Sequence, residues 1–159
     1  MIRIGLLLCM TTGLLVLPAM MVNAMDTRHP YYLYEEGQLP FTKCLRHEGL
    51  ESHAPITFTS VAKGCKVFHF RSDGTIQATT STTDPKPSEW CVAASGRGND
   101  GDLIQLFLCN GQANQVWQLT DGRLRGIHDK CIVQGTGDTA MLGSCQHAIT
   151  WHTQMWVQD

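Results

Sequence analysis

Cysteine and histidine are the residues of this chain with the widest chemical range, seven of each. Cys9 sits in an apolar N-terminal run, which leaves Cys44, Cys65, Cys91, Cys109, Cys131 and Cys145. Thiolates and imidazoles can hold zinc, but no Cys-x-x-Cys pair occurs. His29, His47, His53, His69, His128, His147 and His152 are scattered without ligand spacing. No serine or cysteine stands in a recognisable nucleophile motif. A carboxylate pair for glycoside hydrolysis is a spatial arrangement, and nothing in the sequence points to one. The chemistry expected is therefore neither catalytic nor metal-based, and no cofactor is implied. An even set of cysteines in an exported chain reads as a disulfide framework.

The cysteines recur with other residues. Cys109 is followed by Gln115-Val116-Trp117, and Cys145 by Gln154-Met155-Trp156. Cys65 is followed by a degraded version, Val67-Phe68-His69-Phe70. Each lies downstream of another cysteine, Cys91, Cys131 and Cys44. A pattern used three times in a short chain marks a fold built from repeats. The repeat selects one pairing, in which each unit closes on itself: Cys44–Cys65, Cys91–Cys109 and Cys131–Cys145.

Each unit opens on an acidic residue, a glycine and then an apolar residue: Glu36-Gly37, Asp73-Gly74 and Asp121-Gly122, with Leu39, Ile76 and Leu124 following. Such pairs are turn signals, because glycine supplies positive φ at no steric cost. Short strands between closely spaced turns predict an all-β sandwich or barrel. No long stretch carries a helical period. Residues 78–89 are expected to form an exposed Thr/Ser/Pro loop. Residues 96–102 carry glycines and aspartates but lack the EF-hand spacing, so they are expected to form a turn.

Residues 4–17 are dominated by Leu, Ile and Val after Arg3, and Val22-Asn23-Ala24 suits a signal peptidase. Residues 1–24 are read as a signal peptide. The expected product is a secreted chain with one domain over residues 25–159 and no membrane insertion of the mature chain. The formal charge is −2, from 12 basic and 14 acidic residues. Removing Arg3 leaves 11 against 14, or −3. That balance argues against nucleic acid, which needs a positive surface for phosphates.

The run Cys91-Val92, Ile104-Gln105-Leu106-Phe107-Leu108-Cys109-Asn110-Gly111, then Asn114-Gln115-Val116-Trp117, resembles a ricin B-type lectin repeat. Tyr32-Leu33-Tyr34-Glu35-Glu36 with Lys43-Cys44-Leu45 also resembles the N-terminal cysteine-rich module of the mannose receptor family. The resemblance covers residues 31–158. It implies a β-trefoil of three four-stranded repeats, about residues 31–71, 72–119 and 120–159, each with its own disulfide. It also implies glycans or glycoproteins as partners.

Trp117 and Trp156 are expected in a shared core, with Phe68 or Phe70 supplying the bulk in the first unit. Gln115 and Gln154 are expected to bond backbone groups left unpaired by tight turns. In sugar-binding repeats of the family, an Asp follows the first cysteine by two residues. An aromatic precedes the second cysteine by two, and an Asn precedes the Gln-x-Trp. Here the Asp positions hold Arg46, Ala93 and Val133, and the aromatic positions hold Lys63, Phe107 and Gly143. No unit keeps the full set. The resemblance leaves two candidate surfaces. One is Gln105, Phe107 and Asn114, with Gln115 beside them, for a galactose- or GalNAc-type sugar. The other is a platform on Trp151 flanked by His147 and His152 for a sulfated sugar. The competing reading is a degenerate lectin fold that binds protein.

Overall fold

The computed structural model describes residues 30–35 and 42–155, with side chains omitted at 35 and 152–155. The expected signal peptide, the first turn at Glu36-Gly37 and Trp156 lie outside the described residues. So do the side chains of His152 and Gln154.

Twelve strands are described: β1 (Pro30–Glu35), β2 (Lys43–His47), β3 (Ile56–Ser60), β4 (Val67–Phe70), β5 (Ile76–Thr79), β6 (Pro87–Ala94), β7 (Ile104–Leu108), β8 (Gln118–Thr120), β9 (Arg123–Arg125), β10 (Cys131–Gln134), β11 (Ala140–Gly143) and β12 (Trp151–Met155). The only helical elements among the described residues are three-residue 3-10 turns. Eight strands form one antiparallel sheet, in the order β3-β2-β1-β4-β5-β6-β7 with β12 also on β1. The order β11-β10-β9-β8 makes the second.

Three hairpins, β2–β3, β6–β7 and β10–β11, carry the repeated cysteines. The disulfides are Cys44–Cys65, Cys91–Cys109 and Cys131–Cys145, each internal to its segment as the repeat predicted. The hairpins share a register, with Cys44 opposite Thr59, Cys91 opposite Phe107 and Cys131 opposite Gly143. β3 and β7 even share the burial alternation expected of half-buried strands, inward at the first and third residues.

Each hairpin tip is hydrogen-bonded to the next hairpin. His53 N–H donates to Leu106 O at 2.8 Å, and Leu106 N–H donates to Ala54 O at 2.9 Å. Gly101 N–H donates to Leu142 O at 2.9 Å, and Leu142 N–H returns to Asp102 O at 2.8 Å. An antiparallel bridge between Thr139 and Thr57 brings the third tip back to the first hairpin. The contacts form a closed ring around a core of Leu33, Leu45, Ile56, Phe58, Phe68, Ile76, Val92, Ile104, Leu106, Leu124, Ile132, Leu142, Trp117 and Trp151.

The acidic-Gly turns behave as their residue types dictate. Asp73 Oδ1 accepts from the Thr75 N–H at 2.9 Å and from its hydroxyl at 2.7 Å. Asp121 and Gly122 both take left-handed φ, 49° and 71°, which lets β8 turn directly into β9. Residues 96–102 form the expected turn, with Asp102 Oδ2 accepting from Gly98 N–H at 2.9 Å and Asn99 N–H at 2.8 Å. The loop expected over 78–89 is shorter than that. Ala78 and Thr79 end β5, and Pro87 begins β6 opposite Thr79. Proline is tolerated there because a strand's first residue can do without a ladder donor. Thr79 is buried, its hydroxyl donating to Val67 O at 2.9 Å.

Trp151, expected at the surface, lies in the core. It is 3% exposed and stacks on Phe58, with ring centroids 5.5 Å apart and 17° between planes. Its backbone N–H donates to Gly122 O, as the backbone N–H of Trp117 does to Gly74 O. Among the described residues, the core tryptophan of the third segment is Trp151. Ile149, which packs against the core, stands where Gln115 stands in the second segment. Phe68 and Phe70 are both buried in the first.

Candidate functional site

The second hairpin brings two of the predicted contact residues together. Gln105 lies opposite Ala93 and Phe107 opposite Cys91, so both side chains share the face turned away from Ile104 and Leu106. The tip of the first hairpin lays His53 on this face. The His53 ring meets Phe107 edge-on, with centroids 4.6 Å apart at 67°. Gln105 Nε2 donates to His53 O at 3.0 Å, and Ser52 Oγ and His53 Nδ1 lie 2.9 Å apart. His53 takes a left-handed φ of 68°, unusual for a non-glycine residue. Its place at the site comes from contact between segments, which local sequence does not encode.

Asn114 and Gln115 serve the frame. The inner end of β6 presents carbonyls along its edge. Asn114 Nδ2 donates to Ala94 O at 3.0 Å, and Trp117 Nε1 donates to Val92 O at 2.8 Å. Gln115 is 1% exposed. Its Oε1 accepts from Asn110 N–H at 2.8 Å and Gly111 N–H at 3.3 Å, and its Nε2 donates to Leu108 O at 2.8 Å. These bonds match the expected backbone role and leave the side chain no surface for a ligand. Asn114 is half-buried and keeps its Oδ1. Ala93 is fully buried, so no acceptor stands at that position.

Among the described residues, the third segment offers no exposed aromatic platform. Trp151 is turned inward against Phe58, which corrects the expectation of an exposed stacking ring. His147 is exposed at the end of a 3-10 turn that Ser144 Oγ caps through Gln146 N–H at 3.3 Å. Val133 is buried, and a side chain at Gly143 would meet its Cγ2 at 2.8 Å, so this face is filled.

On the first hairpin, Arg46 lies opposite Thr57, and the register sets Thr59 rather than Lys63 at the place Phe107 holds in the second. A 3-10 turn, Val61–Lys63, is inserted before Cys65 and displaces the count from the cysteine. On β2, His47 is buried. Burial pushes its imidazole down to about 4, with Lys66 adding to the push and the Gly49 carbonyl bond opposing it. A surface cleft of about 510 Å³ is lined by Arg125, Asp129 and the 111–116 loop, and by none of the predicted contact residues.

The described residues contain no group of three or more His, Cys, Asp or Glu side chains able to hold a metal ion. They contain no helix long and apolar enough to cross a membrane.

The sequence matches no protein-family model and no curated protein. Among solved structures, it is similar in fold to the β-trefoil lectin of the Vibrio vulnificus hemolysin/cytolysin, determined with N-acetyl-D-lactosamine bound. That likeness has a TM-score of 0.63 at 11% identity, over 81% of this chain and 96% of that one. With the all-β architecture and the ring of hairpins, it defines the chain's fold as a β-trefoil.

Proposed function

We propose that this chain is a secreted, non-catalytic carbohydrate-binding module. In this reading residues 1–24 are a signal peptide, and the trefoil consists of three four-stranded repeats of the ricin B type, each closed by one disulfide. The fold likeness to a sugar-bound lectin supports the class, and the three disulfides support export. The observation that carries the site is the pairing of Phe107 with Gln105 on the outer face of β7, beside His53. A half-exposed aromatic face suits the C–H face of a galactose- or GalNAc-type ring, and the Gln105 amide supplies a polar contact.

Ala93 removes the charge-assisted acceptor that such a sugar would use. The expected affinity for a monosaccharide is therefore weak, and tight binding would come from several sites acting together. The apolar side chains at Ala93 and Val133, which offer a sugar no acceptor, favour the second reading, a trefoil that serves a protein partner.

A glycan array of neutral and sulfated structures, probed with the refolded domain, separates the two. Neutral hits lost on Phe107→Ala support the site on the second hairpin. An array with no hits at millimolar sugar equivalents supports the protein-partner reading.

A further inference from the structure

One pair of neighbouring residues is set for a covalent reaction with water alone. The asparagines of the chain are Asn23, Asn99, Asn110 and Asn114, and of these Asn110 is the one followed by glycine. A side chain on the following residue would shield that residue's nitrogen, and glycine has none. Asn110 is exposed, and Gly111 takes a left-handed φ of 70° with open space where a Cβ would stand. Gly111 lines clefts of about 440 and about 510 Å³, so water reaches the pair.

The local hydrogen bonds aim the Asn110 side chain. Gln112 N–H donates to Asn110 Oδ1 at 3.0 Å. An asparagine bonded to the amide two residues on folds forward over the peptide between them. That brings Asn110 Cγ toward the Gly111 nitrogen and holds it there, which removes much of the entropic barrier to attack. The same N–H polarises the Cγ–Oδ1 carbonyl and is in place for the negative charge that develops on Oδ1. Gly111 N–H makes a long bond to Gln115 Oε1, 3.3 Å, against 2.8 Å for Asn110 N–H. Two other asparagines are set differently. Asn114 spends its Nδ2 on Ala94 O and is followed by Gln115, and Asn99 is followed by Asp100.

We propose that Asn110 is a site of spontaneous deamidation, promoted by the fold and leading to isoaspartate. The Gly111 nitrogen bonds to Asn110 Cγ, the Cγ–Nδ2 bond breaks, and ammonia leaves with the proton from the Gly111 nitrogen. Water then opens the cyclic imide. Opening at the side-chain carbonyl gives aspartate, and opening at the main-chain carbonyl gives isoaspartate. Either product adds one negative charge, and isoaspartate also lengthens the main chain by one carbon. Gln115 Oε1 accepts from Asn110 and Gly111 together, and a lengthened link cannot present both N–H groups to it. The modification therefore loosens the Gln115 anchor of the second segment.

The test is the full mature chain aged at neutral pH and body temperature, beside the same chain reduced and denatured in urea. Peptide mass spectrometry and enzymatic methylation of isoaspartate follow the reaction. Asn110 should convert while Asn99 and Asn114 stay intact, and the folded rate should equal or exceed the denatured one. Gln112 has a φ of −67°, which the proline ring also adopts, so Gln112→Pro removes the N–H at an unstrained position. It should slow the folded chain about tenfold, the effect of losing one hydrogen bond to a charged atom. The denatured rate should change little. The aged chain should unfold at lower urea than the fresh chain, and Asn110→Ser should show no such loss on ageing. A folded chain that reacts more slowly than the denatured one overturns the proposal, and this comparison needs no variant. Folded Gln112→Pro that reacts as fast as its parent overturns it as well.

Discussion

The backbone N–H of Trp117 donates to Gly74 O at 2.8 Å, and that of Trp151 donates to Gly122 O at 2.6 Å. The two indoles occupy matching posts, each tied to the glycine of an Asp-Gly turn. They differ at the far end. Trp117 Nε1 bonds Val92 O at 2.8 Å, while Trp151 Nε1 is buried without a hydrogen-bond partner among the described residues.

That difference predicts unequal substitutions. Trp→Ala at either site should cost about 3–5 kcal/mol. Trp117→Phe should cost about 1–3 kcal/mol more than Trp151→Phe, because it strands a buried carbonyl. Urea unfolding at constant slope measures both. Equal costs would show that the Val92 bond contributes nothing net.

Gln115 is predicted to be a stability residue and not a ligand residue. Gln115→Leu keeps the volume but removes the bonds to Asn110, Gly111 and Leu108. The expected loss is about 2–4 kcal/mol, with faster amide exchange at Asn110 and Gly111. Glycan binding by the folded fraction should be unchanged.

His47 predicts a pH dependence. Its imidazole titrates near 4 when folded and near 6.5 when unfolded, chiefly because burial disfavours the cation. Above 6.5 both states are neutral and the full stability is present. As pH falls from 6.5 to 4, only the unfolded state takes the proton, and roughly 3 kcal/mol should be lost. Asp73, held below the ordinary carboxylate range by its Thr75 bonds, titrates below this window. His47→Gln should flatten the slope between pH 6.5 and 4. An unchanged slope would assign it to other groups.

The disulfides predict near-equal contributions. Their sequence separations are 21, 18 and 14 residues. Loop closure varies slowly with length, so replacing any one pair by alanine should cost about 3 kcal/mol. The three costs should agree within about 1 kcal/mol.

The legible parts of the sequence were those encoded within one segment. Cysteine pairing, the Asp-Gly turns and the turn over residues 96–102 are local patterns, and each is found as expected. Trp151 was read as a surface platform because Gln154-Met155-Trp156 repeats the motif in letters, and Trp156 itself lies outside the described residues. Trp151 stands nearer to Cys145 than Trp117 does to Cys109, so the shorter connection moved the structural post. The same arithmetic failed at Lys63, where the Val61–Lys63 turn lengthens the path to Cys65. His53 was invisible as a site residue because it reaches its surface from a neighbouring hairpin.

The ring in which each hairpin tip rests on the next strand has a further consequence. A linear stack of repeats has free ends, and it can fray or shed a member while the rest stands. A closed circle has no such end. Taking out any third of this chain would orphan one tip and uncover one strand at once. Heat should therefore unravel the protein in a single transition, with no partly melted species to be trapped along the way.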